Sequence, residues 1–533
     1  MGRHTAFAAS VFVGLFAQLG SAAEYTLVDV QKVPVSGDPS SAIVRFTPPA
    51  SMPGEQCDVL VAGAGMGGIG AALAIARHGH TACVTEETDW LGGQATAGGV
   101  SALDENKFIE IAGGTRSYYD FRNGIRAESG GLPNPGRCYV SALCFEPRNG
   151  VKVLERMIAN PRIRVFLRTQ IAALEKDSTG QFTSAIAWQF EKRSAIRFKF
   201  RYVLDATEAG DLLPLSGLPY VVGSEAKADT TEPHAAEQPN TACVQSFTYP
   251  FAIERRDGEN HAIPKPAGYE EIRKRQDFAL KVNYPTQLGW RGAFEYHFYG
   301  DDPPIPNNMS PGPFFSWRRL RVAPTEIALM NWPRQDYAAE SLLDRKPEDL
   351  VRILQTAKRT SLAFLYWMQH DLNHPEVKLR PDIMDTADGF SKYPYVRESR
   401  RMLARGRVVE QDIVDEFQPG PRARWFDDSV GTGFYMVDIH PCGANERGRM
   451  MMPRPFQIPM ATMLAKQRVN FIPAGKTLGV THLTNGAFRL HPVEWMVGEA
   501  AGTMAALSLS GSEPSLRGVQ KELAGAGVPL VWF

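Results

Sequence analysis

One stretch limits what this chain can fold into: Cys57-Asp58-Val59-Leu60-Val61-Ala62-Gly63-Ala64-Gly65-Met66-Gly67-Gly68-Ile69-Gly70. Val59 to Ala62 reads as a buried parallel strand. Gly63, Gly65 and Gly68 make G-x-G-x-x-G, and residues 71–78 read as a helix with small residues on its packing face. A second strand over 81–85 ends at Glu86. Strand, glycines, helix, strand and acid together form a dinucleotide fingerprint in its required context. Gly63 permits the tight turn, Gly65 lets backbone approach a pyrophosphate, and Gly68 lets helix and strand pack closely. The helix N-terminus offers free N–H groups to phosphate, with Ala64, Met66 and Gly67 in the same turn. Glu86 is placed for a ribose hydroxyl.

The 533 residues suffice for two or three domains, one of them discontinuous. Lys+Arg and Asp+Glu are both 58, which argues against nucleic acid or an anionic membrane as partner. The N-terminus differs from the rest. A short basic start is followed by the uncharged, apolar run from Thr5 to Leu19 and by Ser21-Ala22-Ala23. This is the pattern of a secretory signal peptide over 1–23, and it predicts a secreted or periplasmic protein with no membrane span after cleavage. Of the 6 cysteines, Cys57 and Cys83 lie in expected strands and read as buried apolar residues. Cys138 and Cys144 are close enough in a Pro/Gly-rich loop for a disulfide, which the sequence leaves open. No metal-ligand spacing appears.

Residues 24–54 read as an extended arm. Residues 55–213 carry the fingerprint, a helix over 150–160, strands over 163–167 and 171–174, a hairpin from 182–188 to 196–200, and a returning strand over 202–207. From 214 to 464 prolines and aromatics are dense, apart from a helical pattern over 347–372, and this reads as an inserted substrate domain. The first domain resumes over 465–533. There a strand over 469–476 precedes a loop with Asn485 and Gly486, and Pro492 opens a helix whose small residues at 498, 501, 502 and 505 are expected to pack on a sheet.

The chain resembles the glutathione-reductase-like FAD flavoproteins, and more closely the FAD-dependent oxidoreductases often labelled xanthan-lyase-like. The residues that carry this are the fingerprint with Glu86, Trp90-Leu91-Gly92-Gly93-Gln94, Asp205-Ala206-Thr207 with Gly210-Asp211, Arg397-Glu398-Ser399-Arg400-Arg401, Tyr435 to His440, and Gly475 through Gly502. The resemblance implies an α/β fold: a Rossmann-like FAD-binding domain, parallel sheet plus β-meander, with an inserted α+β substrate domain. It implies that Gly92, Gly93 and Gln94 lie along the phosphates and Gly98 and Gly99 beside the flavin. Backbone at Gln170 and Ile171 would meet adenine, and Ala206 and Thr207 would close over the nucleotide. Gly475, Lys476 and the turn Asn485-Gly486-Ala487 would hold the ribityl chain and flavin carbonyl. Many relatives carry an acid or arginine where Lys476 stands, which leaves its contact open. No second fingerprint follows another strand, so electrons are expected from the organic substrate itself, with oxygen or an external acceptor reoxidising the flavin.

Three residues are candidates for chemistry. His440, at the end of an expected strand, reads either as the base that takes a hydroxyl or amine proton or as a structural histidine. His482 lies in the loop before the expected flavin turn, near the ring, and is the alternative base, and His491 is a candidate cap for the next helix. Arg397, with Arg400 and Arg401, reads either as a holder of substrate carboxylate or of the reduced flavin's charge, or as part of an internal ion-pair network. Cys442, beside His440, leaves a covalent flavin link as a minor alternative. The expected activity is removal of hydride from a C–H bond alpha to oxygen or nitrogen of a small, sugar-like or other organic substrate. A non-redox lyase or hydratase built on an FAD scaffold, and a non-catalytic flavin-fold binding protein, are the alternatives.

Overall fold

The computed structural model describes residues 23–283, 293–301, 312–443, 448–511 and 514–532. The signal peptide expected over 1–23 lies outside these, Ala23 excepted. The arm is not simply extended. Strands β1 (Tyr25–Val28) and β2 (Ile43–Phe46) pair antiparallel, and the turn between them lies on a distant helix described below.

Strand β3 (Gly54–Gln56) leads into β4 (Val59–Ala62). Every β4 residue is buried, as a central parallel strand covered on both faces must be. Val59 and Val61 face the core that holds the helices, while Leu60 and Ala62 face a second core under the meander. Helix α1 (Met66–Arg77) follows the glycine turn, then β5 (Ala82–Thr85), helix α2 (Pro147–Met157) and β6 (Ile163–Phe166). The meander is β7 (Thr169–Lys176), β8 (Phe182–Gln189) and β9 (Ser194–Lys199), and β10 (Tyr202–Asp205) returns.

The middle of the chain builds a separate antiparallel sheet from β11 (Phe251–Arg255), β12 (Arg319–Arg321), β13 (Ile327–Met330) and β14 (Val377–Leu379), in the order β12-β13-β11-β14. The helical pattern is realised as α3 (Pro347–His370), whose Ile353, Phe364 and Met368 share a core with Tyr249 and Phe251. The N-terminal turn lies on α3: Lys358 Nζ donates to the Val33 carbonyl at 2.8 Å and Arg359 Nε to that of Val35 at 3.1 Å. Strands β15 (Val437–Ile439) and β16 (Arg449–Met451) form a small antiparallel pair. Strand β17 (Phe471–Pro473) then completes the main sheet, and α4 (His482–Phe488) and α5 (His491–Ser508) follow.

The main sheet has the order β17-β10-β4-β5-β6, all parallel. The meander sheet has the order β3-β9-β8-β7. The chain is thus mixed α/β, with the parallel sheet and β-meander of the expected Rossmann-like arrangement. On the small-residue face of α5, Gly498 and Gly502 pack on α1, while the helix also touches β17 and β10 of the sheet. A Cβ on Gly498 would sit 1.9 Å from the Gly67 carbonyl oxygen, and one on Gly502 2.4 Å from that of Ala71. Only backbone-to-backbone approach explains glycine at these places.

The cysteines correct the sequence reading. Cys57 and Cys83 are buried, but they are also paired with each other, because the ends of neighbouring strands bring their Cα atoms to 5.8 Å. Cys138 pairs with Cys144. Cys442 pairs with Cys243, so its sulfur is not available for a covalent flavin link.

Candidate functional site

The carboxyl ends of β4, β5 and β10 meet in one cleft, where an open parallel sheet takes its ligand. Gly63, Gly65, Glu86, Gly93, Gln170, Ile171, Ala206 and Thr207 all line it. Gly63 has φ +93°, and a Cβ there would lie 2.3 Å from the Ala206 carbonyl oxygen. Glu86 accepts the N–H groups of Ala64 and Thr88, each at 2.9 Å. Burial pushes its carboxyl up to about 7 against the pull of these bonds. Gln170 Oε1 is buried with no hydrogen-bond partner. A glycine cradle at a helix start, a buried acid for a hydroxyl, and an orphaned acceptor for an amino group suit a dinucleotide carrying adenine.

Other expected contacts have structural duties. Gly67 and Gly68 permit packing: added Cβ atoms would lie 1.8 Å from the Ala474 oxygen and 1.9 Å from the Gly63 oxygen. Met66 is fully buried in the first turn of α1. Gly92 (φ +105°) abuts Thr96, Gly98 packs on Gln94, and Gly99 (φ +75°) abuts Pro250 and Ser391. Lys476, beside Gly475, is buried between Glu208 and Glu494, the latter at 3.2 Å. Asn485, Gly486 and Ala487 are not a turn. They lie inside α4, started by a Thr481 hydroxyl cap on the Thr484 N–H. Asn485 donates to the Arg397 carbonyl at 3.0 Å, and Gly486 lets α4 close on Asp438 backbone.

A second polar cluster forms around His440, immediately after β15. Its Nδ1 lies 2.6 Å from Asp336 Oδ2 and its Nε2 3.2 Å from Asp438 Oδ2. Asp438 and His440 point to one side because they are two apart at a strand end. Burial alone would raise the Asp336 carboxyl, but Arg397 and His440 outweigh it and hold it below its ordinary value. Asp438 is likewise held low, burial being outweighed by His440 and Arg489. Arg489 Nη2 reaches Asp438 Oδ2 at 3.1 Å and Nη1 the Tyr395 hydroxyl at 2.6 Å. Gln94 connects the two clusters. Its backbone N–H donates to Glu208 at 3.2 Å and its side chain to the Arg489 carbonyl at 3.1 Å.

The remaining candidates resolve as internal partners. Arg397 pairs with Asp336 at 3.0 Å, Arg400 with Asp211 at 3.0 Å, and Arg401 with Glu398 and Glu225. The ion-pair alternative therefore describes all three arginines. His482 is not in a loop. It is the first residue of α4, with Nδ1 2.9 Å from Glu398. Burial pulls its ring down, but Glu398 outweighs this and holds it above its ordinary value. His491 does not cap α5. Its Nδ1 accepts the Asp104 N–H at 3.0 Å, and burial pushes it down to about 4.

Sequence reasoning missed Asp336, Arg489, Tyr395 and Glu208. The Asp438-x-His440 spacing was a readable signal for a shared face. Nothing local marks Asp336, which reaches His440 only through the fold.

No curated protein sequence matches the chain. Among solved structures, the FrdA subunit of E. coli quinol fumarate reductase is similar at 11% identity and TM-score 0.33, over 89% of this chain and 74% of that one. OxyS anhydrotetracycline hydroxylase from Streptomyces rimosus is similar at 10% identity and TM-score 0.33, over 89% and 65%. L-Proline dehydrogenase from P. horikoshii is similar at 17% identity and TM-score 0.19, over 34% of this chain, which spans 25% of that chain's length. A family model described as FAD dependent oxidoreductase matches residues 58–523, and the chain belongs to that family of FAD-binding enzymes.

Proposed function

We propose that the chain removes hydride from a C–H bond alpha to oxygen or nitrogen of a small organic substrate, with His440 as the base. Bound FAD supplies the two-electron acceptor for such a step. The observation that carries the reading is the Asp336–His440–Asp438 arrangement. Asp336 is kept ionised by Arg397 and fixes the ring through Nδ1, the way a base is oriented by a third group. This leaves Nε2, 3.2 Å from Asp438 Oδ2, as the atom of the neutral ring that takes a hydroxyl or amine proton, and the ionised Asp438 carboxylate then accepts the new N–H. Gln94 links this cluster through hydrogen bonds to the loop that borders the dinucleotide cleft. Gly63, Gly65, Glu86, Gln170 and Thr207 would hold the adenosine and phosphate half of the cofactor, with Gly475 and Asn485 toward the flavin half. Anaerobic titration with candidate alcohols and amines tests the reading. Loss of flavin absorbance with stoichiometric product is expected; turnover with the flavin still oxidised would place the chain with the non-redox lyases.

The same reading puts the mature protein outside the cytoplasm, with oxygen or an external acceptor taking the electrons. It is supported by the leader-like N-terminus and by the pairing of every cysteine, which an oxidising compartment permits. No helix among the described residues is long and apolar enough to cross a membrane.

A further inference from the structure

We propose that Glu208 is a built-in competitor of the cofactor: its carboxylate lies in the diphosphate cradle, and FAD binding displaces it and frees Lys476 to pair with the diphosphate. This rests on the reading of Gly63 to Gly68 as that cradle.

Glu208 follows β10 through Ala206 and Thr207. Its Oε1 accepts the Gln94 N–H at 3.2 Å. The same oxygen would lie 3.0 Å from a Cβ on Gly65 and 2.2 Å from a Cβ on Gly93. The two glycines that leave room for phosphate therefore leave room for this carboxylate, at the N-terminus of α1 where an anion is favoured. The other oxygen, Oε2, is ion-paired with Lys476, whose Nζ also lies 3.2 Å from Glu494. One buried ammonium thus serves two carboxylates. A diphosphate entering beside Glu208 would add like charge in a poorly solvated place, which is unfavourable. Removing Glu208 relieves the repulsion and returns Lys476 to a ratio of cation to anion that suits a phosphate. The Glu208 side chain is 15% exposed and Lys476 1%, so the carboxylate has a route toward solvent while the ammonium stays in place.

The test is FAD binding by flavin-stripped protein, followed by flavin fluorescence, for wild type, Glu208→Gln, Glu208→Ala and Gly65→Asp. Circular dichroism and the melting temperature of each apoprotein confirm that it is folded. Both Glu208 variants are expected to bind FAD more tightly, on the order of tenfold, because the competing state no longer reduces apparent affinity. Gly65→Asp is expected to bind none. Unchanged or weaker binding in both Glu208 variants, with none in Gly65→Asp, would overturn the competitor role and leave the cradle intact. Stoichiometric FAD in Gly65→Asp would instead show that the cradle is elsewhere, and the proposal would fall with it.

Discussion

His440 and Asp336 lie 104 positions apart in the chain and 2.6 Å apart in space, Nδ1 to Oδ2. Asp336 also takes hydrogen bonds from Arg397, Ser246 and Thr248. The imidazole is therefore held against a carboxylate that is itself held from three other directions.

From this pair, His440→Ala is expected to keep FAD and to slow flavin reduction by about a hundredfold to ten-thousandfold. Asp336→Asn is expected to retain FAD, slow reduction less, and shift the pH profile of the reductive step. Anaerobic stopped-flow measurement with each variant checks both, and wild-type rates in His440→Ala would make the histidine structural.

Cys243 and Cys442 staple the segments that carry Gln245 and His440, and the Gln245 side chain accepts the His440 N–H at 3.2 Å. The double variant Cys243→Ser with Cys442→Ser should keep the flavin spectrum. It should lose about 2–5 kcal/mol of stability and on the order of a hundredfold in reduction rate through misplacement of the ring. Thermal melts and stopped-flow rates read the two effects separately.

The contact of α1 with α5 gives a stability prediction. Gly498→Ala places a methyl carbon 1.9 Å from the Gly67 oxygen, and overpacking of this kind costs about 1–3 kcal/mol or more. Gly525→Ala, in the helix Leu516–Gly525, meets nothing within 4 Å and should be neutral or slightly stabilising. Calorimetry of the pair distinguishes crowding from a general effect of losing glycine.

Glu232 accepts the Thr481 hydroxyl at 2.7 Å and the Glu410 N–H at 2.8 Å, yet burial pushes its carboxyl from 4.5 up to about 7. A carboxyl with a raised native pKa binds more protons folded than unfolded. Its contribution is present in full below pH 4.5 and is lost as pH rises toward 7, at no more than about 1.4 kcal/mol per pH unit. Glu86 and Asp205, raised to about 7 by burial, act in the same direction, as does Glu494. His491, pushed down to about 4, acts oppositely as pH falls below 6.5. Apoprotein melting temperature should therefore fall between pH 5 and pH 7.5, and Glu232→Gln should flatten that slope. A slope unchanged by the substitution would remove Glu232 from the account.

The dinucleotide half was legible because its signals are local. Gly63, the β4 run and Glu86 are fixed by turn geometry, burial and spacing within one β-α-β unit, and the structure brings them to one cleft with Gln170 and Thr207. The His440 cluster was half legible. Asp438 and His440 share a face by strand periodicity, but Asp336, Tyr395 and Arg489 arrive from separate segments with no periodic mark. Asn485 to Ala487 went wrong for a different reason. A short helix rich in Thr, Asn and Gly has weak intrinsic propensity, and its cap at Thr481 and close fit to β15 decide its form. The cysteine pairs needed the fold, since Cys243 and Cys442 are 199 residues apart.

Strand β17 is the last piece of the parallel sheet to be synthesised, and it is the outer neighbour of β10. While the chain is still growing, β10 stands as a bare edge with unpaired backbone groups, open to pairing with other chains. Long-range closure of this kind is slow. A nascent or truncated chain ending before Phe471 would thus be an aggregation hazard. Docking of β17, rather than emergence of the glycine fingerprint, is then the step that removes the bare edge beside β10.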